Sequence, residues 1–166
     1  MVALKIEEQK AFTAGLFVGT MFDEFLVREV SIVTFNSFTV DGRVRQGYYS
    51  DEELEAGQIE EFSAWKAVRP FCFSLIRGSR LPESFRIVLL LPPAAKEKFV
   101  DSHVPGFSSG QVGGLYLNIQ YENGELYCIT GTSLNVFTMD KSLEREWDES
   151  VKLFLKKNGT AFSERG

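Results

Sequence analysis

Apolar and polar residues alternate most regularly between Gly113 and Phe137, where GGLYLNIQYENGELYCITGTSLNVF reads as two strands meeting at Asn123-Gly124. Asn and Gly both tolerate the positive φ that a two-residue type I′ turn demands, so the stretch predicts a β-hairpin. Pairing across that turn sets Tyr121 opposite Leu126, Ile119 opposite Cys128 and Leu117 opposite Thr130, with an apolar face running from Leu115. That face needs a cover. The other face sets Glu122, Gln120 and Asn118 against Glu125, Tyr127 and Ile129, a mixed surface suited to water or to a partner.

The same pattern predicts the remaining elements. Leu4 to Ile6 reads as a short strand and Glu7 to Val18 as a helix with Phe12 and Leu16 on one face. Val27 to Thr39 is rich in β-branched and aromatic residues, and Asp41-Gly42 offers a second hairpin-type turn. Two further strands, Phe71 to Ile76 and Phe85 to Leu91, are expected on either side of Gly78 and Pro82. Ala94 to His103 follows as a short helix behind Pro92-Pro93. The clearest helix is Lys141 to Lys157, with Leu143, Trp147, Val151, Phe154 and Leu155 at helical spacing, Asp140 as N-cap and Gly159 past its end.

These elements make an α+β domain over residues 1–158, mainly antiparallel sheet with about three helices, and a tail over 159–166 expected to fray. The order β-α-β-β occurs twice, a doubled unit like the one from which sliding-clamp domains are built. Charge opposes a clamp. Such proteins turn basic helices toward DNA, whereas the first helix here carries Glu7 and Glu8 beside Lys10.

Composition narrows the classes. A chain of 166 residues is long enough for one well-buried core, and its 15 Phe residues, scattered through the predicted elements, read as part of that core. The net charge of −5 argues against a DNA-coating or anionic-membrane protein. MVALKIEEQK lacks the apolar centre of a secretion signal, and the longest proline-free apolar run, Ile87 to Leu91, is far too short for a membrane span. A cytoplasmic protein is expected. Cys72 and Cys128, both in apolar surroundings, read as buried free thiols rather than a disulfide framework.

Candidate chemistry is sparse. His103 is the one histidine, so a Cys-His nucleophile requires it beside Cys72 or Cys128; its place at a helix end favours a surface role. One His with two separated Cys lacks the spacing of a zinc site. Gly106 to Gly114, GFSSGQVGG, has neither the Lys-Ser/Thr nor the strand-to-helix context of a phosphate loop and reads as a connector. Asp23 and Glu24, between Phe22 and Phe25, form a carboxylate pair better suited to punctuating a loop than to acid–base work. The surface set is basic and aromatic: Arg43, Arg45, Tyr48, Tyr49, Trp65, Lys66, Arg69, Arg77 and Arg80. Arginines beside exposed aromatics stack on bases or hold phosphates. The run from Asp51 to Glu61, six carboxylates and no base, separates the two parts of that set and is placed to neutralise it.

Three stretches, VTFNSFTVDGRV, WKAVRPFCFSLIRG and GLYLNIQYENGELYCITGTSLNVFTMDKSLEREWDESVKLFLKK, resemble a domain-of-unknown-function family from anaerobic Gram-positive bacteria. The resemblance spans most of the chain. It implies a bacterial, cytoplasmic, single-domain protein and carries no catalytic residues, cofactor or metal. The leading expectation is therefore a non-enzymatic binding or regulatory module acting on a protein partner or on a second copy of itself. Nucleic-acid or nucleotide binding through the arginine and aromatic set is one alternative, and a small enzyme using His103 with Cys72 or Cys128 is the other.

Overall fold

Asn123 and Gly124 take φ values of 54° and 75° in the computed structural model, which describes residues Met1 to Arg165. These left-handed conformations close the hairpin between β6 (Val112–Glu122) and β7 (Glu125–Leu134). Its register is the expected one, with Tyr121 opposite Leu126, Ile119 opposite Cys128 and Leu117 opposite Thr130. Around it the chain builds β1 (Ala3–Ile6), α1 (Gln9–Phe17), β2 (Leu26–Val33), β3 (Ser37–Asp41), α2 (Asp51–Glu55), β4 (Ser63–Ala64), α3 (Trp65–Ile76), β5 (Ser84–Leu90), α4 (Pro93–His103), α5 (Ser142–Lys157) and β8 (Phe162–Arg165).

The eight strands form one antiparallel sheet in the order β3-β2-β5-β6-β7-β1-β8, with β4 paired to β2. The class is α+β, with five helices among the described residues rather than about three. Alternation sorts the side chains. Leu115, Leu117, Ile119, Leu126, Cys128 and Ile87 are buried, while their neighbours Tyr116, Asn118, Gln120, Tyr127 and Arg86 are half-buried or exposed. The buried face packs in one core with Phe12, Leu16 and Phe17 of α1, Trp65 and Cys72 of α3, Phe99 and Val100 of α4, and Leu143, Trp147, Val151 and Leu155 of α5. Both tryptophans are anchored by their indole N–H, Trp65 to the Leu16 carbonyl and Trp147 to the Tyr116 carbonyl, each at 2.9 Å.

Four expectations change. Phe71 to Ile76 is not a strand but the second half of α3: Trp65, Val68, Cys72 and Leu75 recur at helical spacing toward the core. The aromatic richness that suggested a strand lies partly in solvent, with Phe71 72% exposed. Asp41-Gly42 is not the β2–β3 turn. That turn is Thr34 to Asn36, closed by the Thr34 N–H donating to the Asn36 carbonyl at 2.9 Å. Gly42 instead marks a close approach, its N–H bonded to the Arg28 carbonyl and an added Cβ falling 2.0 Å from the Val27 carbonyl oxygen. The tail does not fray over Phe162–Arg165, because β8 pairs with β1 and Glu164 binds Lys152 at 2.9 Å. The doubled β-α-β-β order recurs in β1-α1-β2-β3 and β5-α4-β6-β7, but not as two units in space: β5, β6 and β7 lie between β1 and β2.

Arg69 of α3 holds the loop between α1 and β2. Its guanidinium donates to both Asp23 oxygens, at 3.0 and 3.3 Å, and to the Val18 carbonyl at 3.4 Å, with both side chains about four-fifths buried. A bidentate pair so shielded fixes the helix pair over β2. Arg69→Ala is expected to lower unfolding free energy by roughly 1–3 kcal/mol in chemical denaturation. A double-mutant cycle with Asp23→Ala should return most of that as coupling; additive losses would show that the pair does not act as a unit.

Candidate binding surface

The predicted basic and aromatic set does not share one face. Arg43 is tied to Glu61 at 2.9 Å and lies over the Phe62 ring, and Arg45 reaches Asp41 at 3.4 Å. Tyr48 and Tyr49 pack edge to face beside the short 3-10 turn Gln46–Tyr48, with Tyr48 exposed. Trp65 is fully buried and Arg69 is occupied by Asp23. Lys66, Arg77 and Arg80 are exposed on α3 and the loop beyond it. Of the acidic run, Glu61 alone neutralises one of these arginines; Asp51 to Glu55 form α2, whose Ser50 and Glu53 make a reciprocal cap that holds the Glu53 carboxyl below its usual range.

The thiol-based site is also dismantled. Cys72 and Cys128 are free and fully buried, and desolvation pushes the Cys72 thiol up to about 11 and the Cys128 thiol higher still. His103 is exposed, stacked on Phe99 with ring centroids 4.7 Å apart and its Nδ1 near the Phe99 carbonyl. Burial and the upward shift both oppose forming either thiolate near neutral pH. Among the described residues no group of three His, Cys, Asp or Glu side chains is placed to hold a metal ion. Asp23 serves the Arg69 pair, and the Gly106 to Gly114 connector is ordered by Asn135, which bonds the Gln111 and Gly110 carbonyls.

Three clefts open instead on the face of the sheet opposite the core helices, and a fourth beside them reaches the start of α4. The largest, about 400 Å³, runs along β2 and β3 past Arg28, Ser31, Thr39, Asp41 and Arg86. A second of about 290 Å³ lies between Arg28, Arg43, Phe62, Lys96, Gly113 and Tyr116. The other two extend over Val88, Asn118 and Thr132, and over Ser84, Gln120 and Glu122. Arg28 lines three of the four.

Local backbone irregularity builds this region. The β2–β5 register slips between Val27 and Glu29, so Arg28 and Glu29 are both exposed where simple alternation would bury one. A second slip between Val112 and Gly114 lies across the sheet on β6. There the Tyr116 ring folds down over Gly114, where an added Cβ would fall 2.5 Å from its hydroxyl. The Arg28 guanidinium then lies over Tyr116, 5.6 Å from its centroid, and donates to its hydroxyl at 3.4 Å. Farther along the face Tyr127 donates to Glu125 at 2.6 Å and Lys5 lies 3.3 Å away, which together hold that carboxyl below its ordinary range.

Sequence reasoning identified the Asn118, Gln120 and Tyr127 face but not Arg28, Phe62, Arg86, Lys96 or Tyr116. One signal was present. In LVREVSIV the adjacent charges Arg28 and Glu29 break the two-residue alternation, as an inserted bulge residue does.

Residues 15–163 match the model of DUF5721, described as a family of unknown function. No curated protein and no solved structure matches the chain. Among the described residues no helix is long and apolar enough to cross a membrane.

The buried thiols make a pH prediction. A thiol whose folded pKa is raised stays protonated while the unfolded chain ionises, so its contribution to stability is intact below about pH 9 and declines as pH climbs toward the folded value. Stability should therefore fall above pH 9, and Cys72→Ala should reduce the part of that slope lying between about 9 and 11. Thiol labelling of the native protein at pH 8 should be slow and should accelerate on unfolding; rapid native labelling would contradict the burial.

Proposed function

Because the chain belongs to DUF5721, a family of unknown function, no relative lends it an activity, and we propose from the geometry that it is a non-enzymatic binding module working through the uncovered face of its sheet. One observation carries this reading: the helices α1, α3, α4 and α5 pack into one core on one side, where a cleft of about 360 Å³ lies between α1 and the end of α5, while clefts sharing Arg28 or Arg86 run along the other side. A solvent-facing sheet is ordinary in antiparallel proteins. Two bulges and a Tyr folded over a Gly are not needed for solvation, and they shape the surface where the clefts meet. Polar groups converging on a preformed concavity are the usual form of a recognition site.

The nucleic-acid alternative finds less support. Two arginines lining the clefts are matched by acids, Arg43 by Glu61 and Arg86 by Glu29 at 3.5 Å, and Arg45 in the loop after β3 pairs with Asp41, which leaves little uncompensated charge for a phosphate backbone.

Amide NMR of the full chain titrated with filtered native-cell extract tests the module. Shifts are expected to cluster at Ser31, Thr39, Arg86, Asn118 and Gln120 and to be absent from Lys66 and Arg77. Shifts confined to the helical side, or none, would overturn the reading. Shifts that disappear after nuclease treatment, with a steep salt dependence, would favour nucleic acid instead.

A further inference from the structure

From the same face, and resting on the binding-module reading, we infer that the cleft between β2, β6 and the start of α4 is a site for a small organic anion, a carboxylate or phosphate, anchored by Arg28. Among the described residues no carboxylate pairs with Arg28, whereas the other arginines of the face each have one. Arg77 and Arg80 also lack an acid, but of these three only Arg28 lines clefts of the open face.

Its presentation is built rather than incidental. The bulge at Val27/Glu29 turns Arg28 onto the open face, and the Arg28 carbonyl is bonded to the Gly42 N–H at 2.8 Å, at a point where only a glycine fits against Val27. Tyr116, held down over Gly114, lies beneath the guanidinium, 5.6 Å from ring centroid to Cζ, and takes one N–H on its hydroxyl at 3.4 Å. The guanidinium N–H groups not used by that contact are the donors that can receive a carboxylate or phosphate through two parallel hydrogen bonds.

The surroundings set the ligand's character. The cleft is lined by three cations, Arg28, Arg43 and Lys96, and two carboxylates, Glu60 and Glu61, an excess of positive charge in an acidic chain. Arg43 is spent on Glu61, and Lys96 is fixed at the wall by donating to the Val112 carbonyl at 2.8 Å. Leu26, Leu90 and Leu91 form the apolar side. At about 290 Å³ the space suits a small molecule with a short apolar body and one anionic head, not a polymer.

Amide NMR of the full chain at low ionic strength, titrated separately with inorganic phosphate and with benzoate, is the test. Expected are saturable shifts at Arg28, Gly113, Gly114 and Tyr116, weakened roughly tenfold or more by Arg28→Gln and unaltered by Arg77→Gln. A response to phosphate alone would assign the head group as phosphate, and a stronger response to benzoate would assign a carboxylate with an apolar body. If Arg28→Gln perturbs folding, Arg28→Lys, which keeps the charge but loses the fork, should still bind several-fold more weakly. Unchanged affinity in a folded Arg28 variant, or equal shifts at Arg77 and Arg80, would overturn the site. Extract-induced shifts elsewhere on the open face with no response to either anion would overturn the anion site and leave the binding module standing; no shifts in either experiment would remove both.

Discussion

The register of the β6–β7 hairpin is the constraint on which the rest depends. Because side chains alternate with a period of two, slipping the pairing by one residue would move Leu117, Ile119 and Cys128 out to solvent and bring Asn118 and Gln120 into the core. The positive φ at Asn123 and Gly124 selects the turn that prevents the slip. Once this pair is fixed, β5 adds on one side and β1 on the other with matching faces, and the helices have one surface to cover. Burial supplies most of the driving force, on the order of 25 cal/mol for each Å² of apolar surface removed from water. The two tryptophans then pin that cover in place without leaving a buried indole N–H unpaired.

What was legible in the chain follows from how local the cause was. The Asn123-Gly124 turn and α5 are specified by neighbouring residues, and sequence reading placed both within a residue or two. α3 was misread because Phe71, Phe73 and Ile76 favour strands locally, whereas the helix is selected by Trp65 reaching Leu16 and Arg69 reaching Asp23, contacts 49 and 46 residues away. Asp41-Gly42 carries a turn signature, yet Gly42 is required for a different reason, the near touch of the β2 backbone, which no local pattern encodes. β8 was missed likewise: three of its four residues are polar, and the strand exists because β1 leaves an edge open.

The candidate surface shows the same division more sharply. Counting arginines along the chain joined Arg43 to Arg69 and Arg77, but folding sends Arg69 into an ion pair behind the sheet and leaves Arg77 past the end of α3. The residues that do converge, Arg28, Phe62, Lys96 and Tyr116, come from four separate elements or loops and are far apart in sequence. Only the adjacent Arg28 and Glu29 betrayed anything locally, through the broken alternation of β2.

An open sheet face must be polar enough to stay in water. This chain pairs Arg86 with Glu29, Arg45 with Asp41, Arg43 with Glu61 and Lys5 with Glu125, the first three exposed and the last half-buried, each worth little to stability. Against that pattern Arg28 stands apart, since it lies over Tyr116 and bonds its hydroxyl without being neutralised. Bulges cost ladder hydrogen bonds, and a glycine beneath an aromatic ring gives up the backbone restriction that a larger residue supplies. The physical case for a site at this point on the face is that several such concessions coincide where the clefts meet, around the one arginine there whose charge the fold leaves uncompensated.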